Sequence, residues 1–166
     1  DRYKAGGFSA VRLATEQLRT RARDAILLSL EGGATLDEAA AQIRAGELAL
    51  GIEPQSAWYI DTVVRSNIAT AYGAGKDAVQ NDPAVLAARP FWQYLAAGDS
   101  RVRASHRALH LAVFEGGSDV AAYYRPPNQG DRFAFNCRCS GATLSARQVE
   151  QRGLVVITER IAGWEP

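Results

Sequence analysis

Methionine is absent from the 166 residues, which open on Asp1, so the sequence reads as a piece of a longer polypeptide. No apolar run approaches the ~20 residues that span a bilayer, and no secretory signal pattern opens the chain. A membrane partner is therefore not expected. Cysteine is nearly absent too, with only Cys137 and Cys139, one residue apart. A disulfide across a single intervening residue is strained, which excludes the cross-linked framework of a small secreted domain. A reducing compartment, or metal ligation, fits the pair better. Lysine is scarce: of 19 basic residues only Lys4 and Lys76 are lysine, so the positive charge is carried by planar guanidinium groups. The formal charge of +1 gives no global basic field to attract nucleic acid. Missing as well are a Gly-rich phosphate loop, a G-x-S-x-G elbow and an H-E-x-x-H pair. No catalytic residues are assigned.

What is present suits a folded chain. Hydrophobic residues make up 47% and charged residues 22%, a globular balance. From Ser9 to Leu30 the apolar positions Val11, Leu18, Ala22, Ile26 and Leu30 fall at helical spacings. Gly32 and Gly33 stop that helix. Thr35 followed by Glu38 is a capping-box signature for a second helix ending near Gly46. A third follows Pro54, with Ile60, Val64, Ile68 and Ala71 as its stripe and Arg65, Asn67 and Lys76 decorating it. Beyond Asn81-Asp82-Pro83 the character changes. "FWQYLAAG" reads as an aromatic strand, Ser100 to Leu111 as one or two helical turns, and Glu115 to Phe135 as a long loop dense in Gly, Pro, Asn and Tyr. "CRCSGATLS" reads as a strand, Ser145 as the cap of a short helix through Gln151, and "GLVVIT" as a final strand. The expected class is α+β: N-terminal helices, then a small mixed or antiparallel sheet with a long tethered loop. Two parts are expected, a helical region 1–80 and an α+β module 81–166.

Both histidines and both cysteines crowd between Asp99 and Cys139. Zinc is held by thiolates and imidazoles, four in a closed structural site. With Cys137 and Cys139 on one strand face, and His106 and His110 one helical turn apart on a shared face, all four can meet one metal. Such a site would pin the two ends of the long loop. In the competing reading the cysteines are small strand residues and the histidines polar surface groups.

The words "ARPFWQYLAAGDSRVRASHRALHLAVFE" and "YYRPPNQGDRFAFNCRCSGATLS" resemble the C-terminal region of Mu F-like head morphogenesis proteins of tailed phages. The resemblance is carried by Trp92 and Tyr94, Asp99-Ser100-Arg101, Arg103, Ser105-His106, Phe114, Pro126-Pro127 and Asn136-Cys137-Arg138-Cys139, over roughly residues 60 to 153. It implies a minor capsid component that acts in head assembly near the portal vertex. Its expected partners are the portal protein, other head proteins and packaged DNA, and its expected place is the virion, with the host cytoplasm during assembly. Related head proteins carry a Cys-x-x-Cys after Asp-Ser-Arg and a His before the last Cys-x-Cys. Those positions here hold Arg103, His106 and Ala134. His106 and the cysteine pair remain as ligands, with His110 or Asp99 to complete a zinc site. Alternatively, Arg101 or Arg103 bonds to Asp99 and holds the fold without metal.

Two other functions use the same residues. A metal-dependent nuclease or phage-delivered effector would take His106 or His110 as general base, an arginine for phosphate charge and Asp99 as orienter. A DNA-contacting module would use Arg101, Arg103, Arg107, Arg125, Arg132 and Arg138 interleaved with Tyr123, Tyr124, Phe133 and Phe135. Against Asp99, Glu115, Asp119 and Asp131, that is a local excess of about two charges, too small for strong binding by counterion release.

Overall fold

In the computed structural model, residues 15–127 and 134–165 are described. The expected helix start at Ser9 lies outside them, as does Val11. The chain divides between Ala71 and Tyr72 into two compact units.

The first unit is helical. α1 (Glu16–Gly32) begins at Thr15, whose hydroxyl accepts from the Leu18 N–H, and ends at Gly33 with φ 72°, a left-handed conformation that glycine adopts without penalty. α2 (Leu36–Ala49) opens with the expected capping box between Thr35 and Glu38, but it runs through Gly46 to Ala49. Gly46 is tolerated there because the Arg21 and Leu18 side chains pack where a larger residue would stand. α3 (Ala57–Gln80) crosses from the first unit into the second. Leu18, Ala22 and Ile26 of α1, Ala39, Ala40 and Ile43 of α2, and Ile60, Val63 and Val64 of α3 form one buried cluster. Four polar residues, Glu47, Thr62, Ser66 and Asn67, are buried in this unit as well. Asn67, expected on the surface, is fully buried and its amide donates to the Val63 carbonyl at 2.8 Å. The Glu47 carboxylate accepts the Gln55 N–H and so fixes the entry to α3.

The second unit is the α+β part. α4 (Pro83–Ala88) starts with Asp82 as cap and Pro83 in its first turn. The elements then follow as β1 (Phe91–Leu95), α5 (Ala104–Ala108), β2 (Val113–Glu115), α6 (Asp119–Tyr124), β3 (Ser140–Leu144), α7 (Ala146–Gln151) and β4 (Val156–Ile157). The sheet order is β3-β1-β2-β4. β1 is antiparallel to both neighbours, and β4 is parallel to β2, so the sheet is mixed. Two sequence readings are corrected here. The long loop from Glu115 to Phe135 is interrupted by α6, which Ser118 caps through the Ala121 N–H. The strand read from "CRCSGATLS" begins only at Ser140, so Cys137 and Cys139 lie in the irregular segment before it. Asn136 explains the late start. Its φ of 55° ends a turn closed by the Cys137 N–H on the Ala134 carbonyl, a conformation asparagine tolerates and a strand does not contain.

The core of this unit is aromatic. Trp92, Tyr94, Phe114 and Tyr124 are buried together, with Phe114 stacked on Tyr124 at 5.0 Å and Trp92 edge-on to Tyr94 at 6.0 Å. Gln80 joins this core to the sheet edge: Trp92 Nε1 donates to its side-chain oxygen, and its amide donates to the Gly141 carbonyl. Arg89 similarly donates to the Thr143 hydroxyl at 2.8 Å and to its carbonyl. The outward carbonyls of β3, which an open edge would offer to another strand, are thus taken by side chains. Arg125 is 7% exposed, donates to Asp77 at 2.6 Å and to Asn81 at 3.2 Å, and lies 4.9 Å from the Trp92 ring. Arg125→Ala is expected to destabilise this unit by about 2–3 kcal/mol, the scale of buried hydrogen bonds to a charged group. Urea unfolding followed by tryptophan fluorescence measures it, and a loss below about 0.5 kcal/mol, the size of an ordinary surface substitution, would show the pair to be dispensable.

Candidate metal centre

α5 is a five-residue helix that presents His106, 2% exposed, toward the segment preceding β3. There its Nδ1 stands 3.7 Å from Cys137 Sγ and 3.6 Å from Cys139 Sγ. The three donor atoms all lie within 4.8 Å of one another, and they are the one metal-competent group of this kind among the described residues. A tetrahedral zinc with Zn–S of about 2.3 Å and Zn–N of about 2.0–2.1 Å has N···S edges of roughly 3.6 Å. Both observed N···S distances match that edge, so these residues fit three of the four positions around such an ion. Two thiolates and an imidazole are soft-to-borderline donors that select zinc over hard cations.

Electrostatics point the same way. The Cys139 thiol is drawn down to about 4 by hydrogen bonding from Cys137, then from His106, the Tyr94 hydroxyl and the Ala97 N–H, with burial opposing. The sulfur is therefore held as the thiolate that metals require. Cys137 is 6% exposed, while Cys139 is half-buried at the inner edge of the aromatic core.

The other expected site residues are placed as follows. His110 does not join the cluster. α5 ends at Ala108, so the helical face expected to align it with His106 does not extend that far, and its Nδ1 accepts the Ala96 N–H at 3.3 Å. Asp99 is engaged elsewhere: its carboxylate receives both terminal nitrogens of Arg138, one at 2.8 Å. Neither Arg101 nor Arg103 supplies that side-chain pair. Arg101 gives Asp99 only its backbone N–H at 3.0 Å, while the Arg103 guanidinium donates to the Phe135 carbonyl. Arg138, flanked by the two cysteines, thus ties their segment to the Asp99 turn, and Asn136 sets the turn entering it. Sequence spacing did not reveal Trp164. Its indole N–H donates to the Ser105 carbonyl at 3.0 Å and its ring packs edge-on against Tyr124, which anchors the helix carrying His106.

The Arg138 guanidinium holds the Asp99 carboxyl down to about 2, and the Arg101 N–H assists. A depressed carboxyl contributes stability that is complete above its ordinary value of about 3.9 and is lost as the pH falls through the folded value. The contribution of this pair is expected to be constant from neutral pH to about 5 and to disappear between about 4 and 2. Comparing the unaltered chain with Asp99→Asn in urea across that range checks it; a difference that already shrinks near pH 6 would contradict the pairing.

Comparison with known proteins gives three matches. Residues 20–142 match the family model described as Phage Mu protein F like protein. The chain is 38% identical over 105 residues to the putative capsid assembly protein F of Escherichia phage Mu, covering 63% of this chain and 22% of that protein. It is 37% identical over 95 residues to the Mu-like prophage FluMu F protein of Haemophilus influenzae (strain ATCC 51907 / DSM 11121 / KW20 / Rd), covering 57% of this chain and 21% of that protein. The aligned segment thus spans about a fifth of the length of either relative. No solved structure gives a significant match.

Proposed function

The chain belongs to the family of Phage Mu protein F like proteins, and from that premise we propose that it is a minor head protein of a tailed phage or prophage, acting in head morphogenesis at or near the portal vertex. The observation that carries the reading is the family match over residues 20–142, supported by the capsid-assembly name of the phage Mu relative. The helices ahead of residue 81 make the contact with the portal or with a neighbouring head protein, and residues 81–166 form the module that completes the fold. Leu28, Leu48 and Trp58, each more than half exposed on the helical unit, are the residues offered for that contact. No described helix is long and apolar enough to cross a membrane.

Within the module, His106, Cys137 and Cys139 hold a zinc ion. When bound, zinc supplies a structural cross-link between α5 and the segment entering β3. The role proposed for the module is structural rather than catalytic: the His106 ring is buried with Nδ1 facing two sulfurs, and His110 accepts a backbone N–H, so neither is presented as a general base. Contact with packaged DNA is a smaller part of the proposal, because Arg103, Arg107, Arg125 and Arg138 are each engaged by a carbonyl or carboxylate of this chain.

Quantitative mass spectrometry of gradient-purified particles from the source strain tests the assignment. The expected result is this protein at a few to a few tens of copies per particle, and cross-linking to the portal protein through a photoreactive residue at Trp58. Particles lacking the protein, from cells that express it, would remove the virion role; a cross-link only to another head protein would remove the portal vertex.

A further inference from the structure

We propose that β4 is a self-association edge, on which a second copy of this chain adds its own β4 antiparallel and joins the two sheets into one. The inference stands apart from both the zinc reading and the virion reading. The sheet has two outer strands, β3 and β4. An outer strand carries backbone N–H and C=O groups that no neighbour in its sheet takes up, and another strand can take them. At β3 that edge is occupied by side chains of this chain: Gln80 donates to the Gly141 carbonyl and Arg89 to the Thr143 carbonyl. β4 is paired with β2 on one side, Val156 opposite Val113 and Ile157 opposite Phe114. Among the described residues, no side chain bonds to the backbone of Val155, Val156 or Ile157.

The side chains of β4 say what fits there. Leu154 and Val156 pack against the cluster of Val113, Leu144 and Val149, and Ile157 packs against the aromatic core. Val155 is left 81% exposed, more than any other large apolar side chain described. A lone exposed valine is ordinary on a surface, but this one stands beside an unblocked edge, in a run without charge from Gly153 to Thr158. Charge flanks the run, with Arg152 before it and Glu159 after it. Both are exposed, and neither is ion-paired among the described residues. Two copies can pair antiparallel with Val155 opposite the second copy's Val156. That register sets Leu154 opposite the second copy's Ile157, so every pair in the contact is apolar. It also brings Arg152 toward the second copy's Glu159, and the two-fold symmetry of such a contact does so twice. A slip of one residue would set Arg152 against the second copy's Arg160 instead, so the charges select the register. Parallel pairing would place like charges together at both ends.

The experiment uses the full 166-residue chain in sedimentation equilibrium at low salt, where exposed ion pairs are least screened. Two short strands bury less than the roughly 1,200 Å² of a standard interface, so the mass is followed up to about a millimolar protein. The expected result is a rise with concentration from the mass of one chain to that of two. Arg152→Glu and Glu159→Arg each turn both ion pairs into like-charge contacts. Each is expected to weaken self-association about tenfold, the scale of two exposed pairs lost. Mixed in equal amounts, the two variants present opposite charges to each other at both places, and the mixture is expected to regain the affinity of the unaltered chain. Val155→Lys sets a charge at the centre of the contact and is expected to abolish association, with an unchanged near-ultraviolet dichroism because the position is exposed. An unaltered chain that keeps the mass of one copy throughout would overturn the proposal and leave the edge to an extended segment of another protein. Association that survives the reversals, or a mixture as weak as its components, would overturn it as well, since the contact would then lie elsewhere.

Discussion

A chain carrying Cys137→Ser is expected to bind zinc several hundred- to a thousand-fold more weakly than the unaltered protein, whereas His110→Ala leaves the affinity where it was. Structural zinc in small domains is worth roughly 10–16 kcal/mol over four positions, three of them filled here by His106, Cys137 and Cys139, so one ligand carries about 3–4 kcal/mol, and each 1.4 kcal/mol is about tenfold. Cys137 is buried and its sulfur is 3.7 Å from His106 Nδ1, so a serine oxygen at the same place is a harder and more weakly donating substitute. His110 is the informative contrast. It shares the residue type and lies four positions along the chain, yet it is occupied by the Ala96 N–H. Competition against a chromophoric chelator gives the affinities, and elemental analysis gives the stoichiometry. Zinc bound equally by Cys137→Ser and the unaltered chain would end the metal assignment. An equal fall in His110→Ala would mean that the ligand set is wrong.

The second large effect concerns a glycine. A methyl group added at Gly141 would lie 2.1 Å from Trp92 Nε1 and 2.2 Å from Cε2, inside the indole itself. Trp92 cannot step aside. It is 1% exposed, its Nε1 is bonded to Gln80, and Phe114 and Tyr94 flank it. Gly141→Ala is expected to cost about 3 kcal/mol or more, beyond the usual range for overpacking, and to separate β3 from β1. Because the atoms in conflict belong to one side chain, the cost is expected to shrink to less than about 1 kcal/mol when measured in a Trp92→Leu background, a coupling that a double-mutant cycle isolates. Additive effects of the two substitutions would show that the glycine is required for some other reason.

These two sites differ in how far the sequence disclosed them. His106, Cys137 and Cys139 were legible because histidine and cysteine are rare here and cluster within 34 positions. Their supporting shell was not, because it is built from contacts distant in sequence. The partner of Asp99 is Arg138, 39 residues away, where local spacing suggested Arg101 or Arg103. Trp164 reaches Ser105 across 59 residues. The fold shows the same division. Both helices opened by a reciprocal cap, Thr35 with Glu38 and Ser145 with Gln148, stand where those residues place them, since a capping box is a purely local device. β2 is only three residues long and is defined by its neighbours rather than its own pattern. α6 was hidden among the glycines, prolines and tyrosines around it, although Ser118 was there to start it. The extent of β3 was overread because valid strand-like words continue back through the cysteines, and the single left-handed residue Asn136 is invisible to periodicity.

The hold of Trp164 on Ser105 sets an order of events in the cell. Translation delivers residues from the amino end, so the helical unit, complete once α3 has emerged, can fold while the remainder is still in the ribosome. The α5 segment that carries His106 leaves the tunnel early as well, but its anchor and the two cysteines follow it by 58 and about 30 residues. Until Trp164 has cleared the exit port that segment has no fixed place to present its imidazole. A nascent chain stalled short of Trp164 lacks the indole that bonds to the Ser105 carbonyl, and α5 then carries His106 without that anchor.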